Sequence, residues 1–399
     1  MFARFAAMTL LLTGPAFAQS ASPVAQGAPN FAEAEPAFPE QTRAPASDSG
    51  VTLSVETVAS GLAHPWGIAV LPDGGYLVTE RDGRLRHIDA SGQLHPPITG
   101  LPDIFAVRQG GLLDVALALD FAESRVIYLT YSKPMGGQSS VTAAARAVLS
   151  RDNESLSDVR DIFVQNPPSN SPMHYGSRVI AAEEWVYVTT GEHSIPAERV
   201  FAQDLDKSYG KIIRVTPDGD PLVDNPFTGQ AGALPEIWST GHRNIQGAAL
   251  RENGTLWAIE HGPRGGDELN LIQPGANYGW PVVSYGINYN GTEVGSGEYA
   301  HAANGYAEPR YYWDPVIAPG GMVFYDGSMF ADWQGDLLIG SLNPGALVRL
   351  ELQGDTVVGE ERLLTDIGRV RDVEQDSDGS LLLLIDADNG SVVRVTPGG

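Results

Sequence analysis

The 399-residue chain contains no cysteine and only three lysines, Lys133, Lys207 and Lys211. Without thiols it has no disulfide, no thiolate-bound metal, no iron–sulfur cluster and no cysteine nucleophile. Nearly every positive charge is an arginine, whose planar fork suits carboxylates. We therefore expect any anionic ligand to be held by guanidinium groups.

Positive charge is also scarce as a whole, with 25 basic residues against 49 acidic ones and a formal net charge of −24. A surface of that sign repels the phosphate backbone of nucleic acids and anionic lipids. We therefore expect no nucleic-acid partner.

Long hydrophobic runs are missing, since no segment reaches the roughly 18 apolar residues of a membrane-spanning helix, and we expect no membrane anchor. Residues 1–18 combine Arg4, an apolar run and the small-x-small site Ala16–Ala18, the pattern of a secretory signal peptide. This pattern predicts a periplasmic or secreted protein. Residues 19–49 are rich in Ala, Pro, Ser and Gln without an apolar period, which predicts a disordered linker before a catalytic domain over 50–399.

Several enzyme motifs are absent as well. The sequence has no serine-hydrolase elbow, zinc-protease helix, dinucleotide-binding turn or phosphate-binding loop. From Val51 onward, short β-rich runs alternate with Gly, Pro, Asn and Asp, which indicates an all-β domain. A helix remains an alternative only for short pieces such as Thr142–Leu149.

One phrase recurs six times: a small or apolar strand, a turn, and a strand of alternating apolar residues. The copies span 67–80, 112–131, 177–192, 247–260, 321–340 and 372–386. Three of them carry Asp-Gly or Asn-Gly at the turn, which favours tight antiparallel hairpins. Six units of about four strands each predict a six-bladed β-propeller of four-stranded antiparallel sheets. The longest loops, where binding groups are expected, fall in 132–176, 192–209, 217–243 and 261–317.

Unusually polar strings lie in or beside these loops. They are RQGGLLD (108–114), HYGSR (174–178), GHRNIQG (241–247), EHGPRGGDELN (260–270), NYGWP (277–281) and RVRD (369–372). Each has a structural explanation when it is taken alone, because a histidine such as His174 can be a buried or turn residue and arginines often form inter-blade hydrogen bonds. The combination is more specific than its parts.

In this order and spacing the strings resemble the soluble aldose (glucose) dehydrogenases of the glucose/sorbosone dehydrogenase family, which depend on pyrroloquinoline quinone (PQQ). The resemblance runs from about Gly61 to Val395. It implies a propeller that oxidises aldose sugars at C1 to lactones by hydride transfer to PQQ, assisted by Ca²⁺. It also implies that His174 is the general base and that Arg243 lies beside the quinone oxygens.

Further site residues follow from the same resemblance. The implied cofactor-binding residues are Gln109, Arg243, Asn244, His261, Asp267, Arg369 and Arg371. The main-chain carbonyls of Gly262 and Pro263 would hold the cofactor's calcium. Glu268 and the carbonyl region of Tyr278 would hold a second calcium.

The sequence departs from the family pattern at three positions. Asn343 stands where the family commonly has a lysine, so one cation is missing from the expected cradle for the cofactor carboxylates. Met173 stands beside the base where the glucose-specific branch of the family has an aspartate, and Val316 stands where a threonine would contact the cofactor. Substrate orientation and specificity therefore stay open.

Two alternatives remain at this point. A metal-dependent, lactonase-type hydrolase could recruit Asp204, Asp206, Asp267 and Glu268, and a non-catalytic propeller could bind a carbohydrate or a partner through its loops. The sequence determines neither the preferred sugar, nor the electron acceptor, nor whether the protein is a monomer or a homodimer.

Overall fold

A computed structural model describes residues 22–398, so the expected signal peptide at 1–18 lies outside the described residues. The described part contains four short helical segments: α1 (Phe121–Ser124) and single 3₁₀ turns at Arg199–Ala202, Ala302–Asn304 and Ala331–Trp333. None of them is long and apolar enough to cross a membrane. The rest of the regular structure in this part of the chain is β-strand.

The strands form six antiparallel sheets, which we call blades I to VI. Blade I contains β2 (Pro65–Val70), β3 (Tyr76–Glu80) and β4 (Arg84–Ile88). Blade II contains β5 (Leu112–Leu117), β6 (Val126–Pro134), β7 (Ser140–Leu149) and β8 (Leu156–Val164). Blade III contains β9 (Gly176–Ala181), β10 (Val186–Thr190), β11 (Ile212–Val215) and β12 (Ile237–Ser239).

The second half of the chain supplies the other three blades. Blade IV contains β13 (Ile245–Leu250), β14 (Leu256–Glu260), β15 (Asp267–Leu271) and β16 (Tyr311–Trp313). Blade V contains β17 (Pro319–Phe324), β18 (Leu337–Ser341), β19 (Ala346–Gln353) and β20 (Thr356–Leu363). Blade VI contains β21 (Val370–Gln375), β22 (Leu381–Ile385), β23 (Gly390–Pro397) and β1 (Leu53–Leu62).

The first strand of each blade contacts the first strand of the next, from β2 through β5, β9, β13, β17 and β21 and back to β2. This closed ring confirms the predicted six-bladed propeller. Blade VI is completed by β1, which pairs with β23 and sets Val55 opposite Val395. Blade I has three strands instead of the predicted four, because the segment after β4 forms no fourth strand and is joined to β4 by an isolated bridge between Ile88 and Leu94. The segment Thr142–Leu149 lies within β7 and is a strand.

The six recurring phrases form the first two strands of the six blades. At the turns of the clearest copies Gly74, Gly254 and Gly379 have φ between 80° and 86°, the left-handed conformation that a tight hairpin needs and that glycine adopts without a steric cost. The alternating apolar residues face the neighbouring blades, and six buried clusters of the described residues lie one at each blade–blade interface. The core is therefore a ring of interfaces around a polar axis.

Residues 22–49, which we call the N-terminal arm, differ from the disordered linker expected for 19–49. The arm lies along blades IV and V, where Gln41 is fully buried and its carbonyl oxygen accepts a hydrogen bond from the backbone N of Tyr312 at 2.8 Å. Ala44 is buried in the same cluster as Trp257. The composition predicted disorder because the arm cannot form a core of its own. The arm is nevertheless ordered, because its backbone and amide groups form hydrogen bonds with an existing surface.

Candidate functional site

A cavity of about 350 Å³ opens on the propeller axis, and we call it the axial cavity. Residues at the start of the innermost strand of every blade contribute to its wall. They are Trp66, Leu113, Gly176, Gln246, Ala318 and Arg371. The starts of all six innermost strands surround the same opening of the axis. Side chains that are far apart in the sequence therefore meet in this cavity.

Five of the predicted cofactor-binding residues line the axial cavity: Gln109, Asn244, His261, Arg369 and Arg371. The lining residues that were not predicted include Trp66, Arg81 and Gln246. Gln246 lies inside the string GHRNIQG and could have been inferred from it. Trp66 and Arg81 flank the first repeated phrase, and no polar string marks them in the sequence.

Positive charge exceeds negative charge in the axial cavity. The Nη2 atoms of Arg369 and Arg371 lie 3.1 Å and 3.5 Å from the same carboxylate oxygen of Asp386, and Arg81 adds a third guanidinium to the lining. The lining therefore contains three arginines and no Asp or Glu, and Asp386 pairs with two of these arginines, inside a chain of net charge −24. Such a local reversal of sign favours an anionic ligand with several carboxylates.

A smaller pocket adjoins the axial cavity at His261, which lines both, and we call it the side pocket. Arg243 lies in it, donates from Nη1 to the carbonyl oxygen of His261 at 2.9 Å and stacks 5.2 Å from the ring of Trp280. Its Nε and Nη2 atoms are buried and have no hydrogen-bond partner among residues 22–398. Buried donors without acceptors cost free energy, so these atoms indicate where the oxygens of a ligand belong.

His174 lies just before β9 in a left-handed conformation, with φ of 47°. Its backbone N–H donates to Oε1 of Gln109 at 2.8 Å, and Gly191 approaches its carbonyl so closely that a Cβ would clash. Nδ1 lies 2.7 Å from Oε1 of Glu192. Since a carboxylate only accepts, Nδ1 carries the proton and Nε2 keeps its lone pair. His174 lines neither pocket, but the adjacent Tyr175 lines the axial cavity.

The electrostatics keep His174 neutral. Burial and the nearby Arg243 lower the pKa of His174 below its usual value of 6.5, and Glu192 opposes this shift. Burial disfavours the charge of Glu192, but its hydrogen bond with His174 holds the pKa of that carboxyl below its usual value. Glu192 was not predicted, although it opens the long loop 192–209. Glu192 therefore holds the imidazole of His174 in one tautomer, which leaves Nε2 free to accept a proton.

The loop 261–266 after β14 presents the predicted calcium carbonyls of Gly262 and Pro263. Neither carbonyl accepts a hydrogen bond from another residue within 22–398, so both oxygens are available to a hard cation, which prefers oxygen ligands. Asp267 lies behind them, where Oδ1 accepts from the backbone N of Gly262 at 2.8 Å and Oδ2 from those of Ile317 and Ala318.

Asp267 was predicted to bind the cofactor, but it lines neither pocket. Burial raises its pKa to about 7, and its three backbone N–H partners oppose that shift. The structure therefore shows this carboxylate joining two loops at their backbones.

Glu268 and Tyr278, the residues predicted to hold a second calcium, contact other groups of the protein. Oε1 of Glu268 lies 3.4 Å from Nε2 of His301, whose pKa is raised by Glu268 in spite of its burial. Protonation of this imidazole would give Glu268 a cationic partner within the protein itself. The hydroxyl of Tyr278 donates to the carbonyl oxygen of Leu271. A second calcium at Glu268 and Tyr278 stays a prediction.

No group of three or more His, Asp or Glu able to hold a metal occurs between residues 22 and 398. The carboxylates considered for a hydrolase do not converge, because Asp204 and Asp206 pair with Lys207 whereas Asp267 is buried behind the loop 261–266. A cation at Gly262 and Pro263 would complete its coordination with ligand oxygens. This donor set fits a cofactor-bound calcium better than a hydrolytic metal centre.

A model of the glucose/sorbosone dehydrogenase family matches residues 62–394. The chain belongs to this family. It is 42% identical over 350 residues to "Aldose sugar dehydrogenase YliI" of Escherichia coli (strain K12), covering 87% of this chain and 93% of that protein.

Two solved structures extend the family likeness to three dimensions. The apo-form of the soluble aldose sugar dehydrogenase from Escherichia coli is 41% identical, with a TM-score of 0.82 over 87% of this chain and 100% of the other. The PQQ-bound aldose sugar dehydrogenase from Streptomyces coelicolor is 28% identical, with a TM-score of 0.70 over 86% of this chain and 99% of the other. Every predicted site residue of this chain lies within the matched range, and the N-terminal arm precedes it.

Proposed function

We propose that this protein is an exported aldose sugar dehydrogenase that oxidises sugars at C1 to lactones with PQQ and Ca²⁺, using His174 as the general base. The observation that carries the proposal is the charge of the axial cavity, whose lining contains three arginines and no carboxylate, with Asp386 paired to two of them. PQQ is an ortho-quinone with three carboxylates, so a protein of net charge −24 needs a local excess of arginine to bind it. The PQQ-bound relative from Streptomyces coelicolor supports the same cofactor here.

The residues present suit this cofactor. Arg81, Arg369 and Arg371 would bind the carboxylates, because guanidinium groups pair with carboxylates in a bidentate manner. The two unpartnered donors of Arg243 would donate hydrogen bonds to the quinone oxygens. The carbonyls of the loop 261–266 would hold calcium against the cofactor.

When bound, PQQ would supply the hydride acceptor for C1, and calcium would polarise the accepting carbonyl. The protein's own part is proton transfer and orientation. Nε2 of His174 would take the proton of the C1 hydroxyl, Glu192 holds the imidazole in the required tautomer, and Gln109 fixes its backbone. A neutral imidazole in this role contributes about 10²–10⁴-fold to the rate.

The test is an assay of the purified protein with PQQ and Ca²⁺, in which a panel of aldoses reduces an artificial dye. We expect turnover with at least one aldose, and the absence of turnover with all of them would contradict the proposal. His174→Ala should lower kcat by about 10²–10⁴-fold and leave PQQ binding in an absorbance titration unchanged. His95→Ala is the matched control, since His95 is a half-buried histidine in the segment that follows β4 and is paired with Asp89; equal activity in both variants would remove His174 from the mechanism.

A further inference from the structure

The N-terminal arm reaches the loop that presents Gly262 and Pro263. The meeting point is Asp314, the residue that follows β16. The family model begins at residue 62, so the arm lies outside the range that the model matches.

Asp314 lies between the arm and the loop 261–266. On the loop side, Gly265 has a φ of 82°, and a Cβ placed there would lie 2.6 Å from Oδ1 of Asp314. On the arm side, Nδ2 of Asn30 donates to Oδ1 at 2.7 Å and the backbone N of Phe31 donates to Oδ2 at 2.8 Å. Both oxygens of the carboxylate are therefore held by the arm while the loop packs against it.

The side chain of Asn30 also contacts the loop directly. Its Oδ1 accepts a hydrogen bond from Nε of Arg264 at 2.9 Å, so one amide joins Arg264 to Asp314. The next loop residue but one, Gly266, donates its backbone N–H to the carbonyl oxygen of Trp313 at 2.8 Å. The loop is thus tied to the end of β16 and to the arm at adjacent points.

The arm itself is firmly held. Arg43 donates from Nη2 to the carbonyl oxygens of Gly27 at 2.9 Å and Asp314 at 2.7 Å, which closes the arm back on itself at the same corner. The Phe31 ring packs edge-on against Tyr299 at 5.7 Å. A segment fixed in this way transmits rigidity to what it touches, because moving it would break several hydrogen bonds at once.

We propose that the N-terminal arm is a brace that holds the loop 261–266 in its cation-binding shape, and that it thereby sets the affinity for calcium and the cofactor. The inference rests on the proposed function for its calcium and cofactor part. Asn30 is a positioning residue here: it touches neither pocket and acts through Arg264 and Asp314. Ordering a loop before the ligand arrives removes part of the entropic cost of binding.

The test compares two full-length variants, Asn30→Leu and Gln26→Leu. Asn30→Leu removes the amide that joins Arg264 to Asp314. Gln26→Leu is the matched control, since it removes an amide of the same arm whose partner is Glu360 of blade V. The readouts are amide hydrogen exchange of residues 264–266 without cofactor, and the Ca²⁺ concentration needed for half-maximal PQQ binding.

We expect Asn30→Leu to speed exchange of these amides and to raise the calcium midpoint, each by about tenfold for the loss of two hydrogen bonds, and Gln26→Leu to change neither. Unchanged exchange in Asn30→Leu, an unchanged calcium midpoint, or equal changes in both variants would overturn the inference. If the unsubstituted protein binds no PQQ, the proposed function is wrong, and the exchange comparison alone then decides whether the arm holds the loop.

Discussion

Two groups of arginines on the propeller axis differ in how their charge is matched. Arg178, on the innermost strand of blade III, lies between Asp114 and Asp372 from two other innermost strands, with N–O distances of 3.0 Å to each. In the axial cavity, Arg369 and Arg371 share Asp386. In the adjoining side pocket, Arg243 has buried donors without a partner.

We therefore distinguish a structural ion cluster around Arg178 from a proposed ligand site at Arg243, Arg369 and Arg371. An arginine between two carboxylates joins blades II, III and VI across the axis and leaves no charge for a ligand. Arginines that outnumber their carboxylates leave donors and positive charge unused, which costs stability unless an anion binds. Trp66 joins the two groups, since it stacks 4.5 Å from Arg178 and 5.8 Å from Arg371.

The largest effect is expected from Arg178→Met. This change leaves Asp114 and Asp372 buried together without a cation, and breaking a buried ion pair from one side costs about 3–5 kcal/mol of unfolding free energy. Because burial already raises the pKa of Asp114 to about 6, protonation should restore part of this loss between pH 7 and pH 5. Urea unfolding at the two pH values measures both effects, and a loss below about 1 kcal/mol at pH 7 would contradict the structural role.

Arg243→Met should lower cofactor affinity and leave the unfolding free energy nearly unchanged. Its side chain has unused donors and stacks on Trp280, so we expect little loss of unfolding free energy. Two charge-assisted hydrogen bonds to the cofactor would be lost, which lowers PQQ affinity by about 10–100-fold. Absorbance titration and urea unfolding on the same preparation test this contrast; a destabilisation as large as that of Arg178→Met would end the distinction between the two groups.

The unmatched charge of Arg243 should also be visible in the pH profile. In the proposed mechanism only the neutral form of His174 is a base, so kcat/KM should fall as the pH drops through the pKa of His174, which lies below 6.5. Arg243→Met removes a charge that lowers this pKa and should move the acid limb upward, whereas Glu192→Gln removes one that raises it and should move the limb downward, each by less than about one pH unit. Shifts in the same direction would contradict the assignment.

The smallest effect is expected from Asn343→Lys, which adds a cation near the cavity. Asn343 is exposed and follows Leu342, which lines the axial cavity and accepts a hydrogen bond from Arg369. An exposed charge contributes about 0.2–1 kcal/mol, so PQQ affinity should rise by about two- to fivefold at low salt, and less at high salt. An unchanged Kd at low salt would show that a charge at position 343 has no electrostatic effect on cofactor binding.

Local patterns predicted the propeller because the same pattern recurs six times, although the spacing between its copies varies. Asp-Gly and Asn-Gly turns mark three hairpins, and the six phrases mark all six blades. The polar strings predicted the site in part: RQGGLLD, HYGSR and RVRD each join a residue of the site to an acidic or basic residue of the axial ion cluster, namely Asp114, Arg178 and Asp372. Sequence alone could not separate these two uses, because the pairing occurs across three blades.

Other features depend on contacts that no local pattern encodes. Glu192 became part of the site only when Nδ1 of His174 was found beside it. The packing of residues 22–49 depends on Asp314 and the blade IV surface, nearly 300 positions away for Asn30. The composition of the arm describes its own inability to form a core and contains nothing about the surface that receives it.

Binding of PQQ and Ca²⁺ by the arginine-rich axial cavity is tested most directly by titrating the folded protein with PQQ. The titration is followed by absorbance, first with Ca²⁺ and then after its chelation. We expect saturable binding at one equivalent with Ca²⁺, weaker binding after chelation, and a loss of affinity in Arg243→Met. Absence of saturable binding to the folded protein in the presence of Ca²⁺ would contradict this expectation.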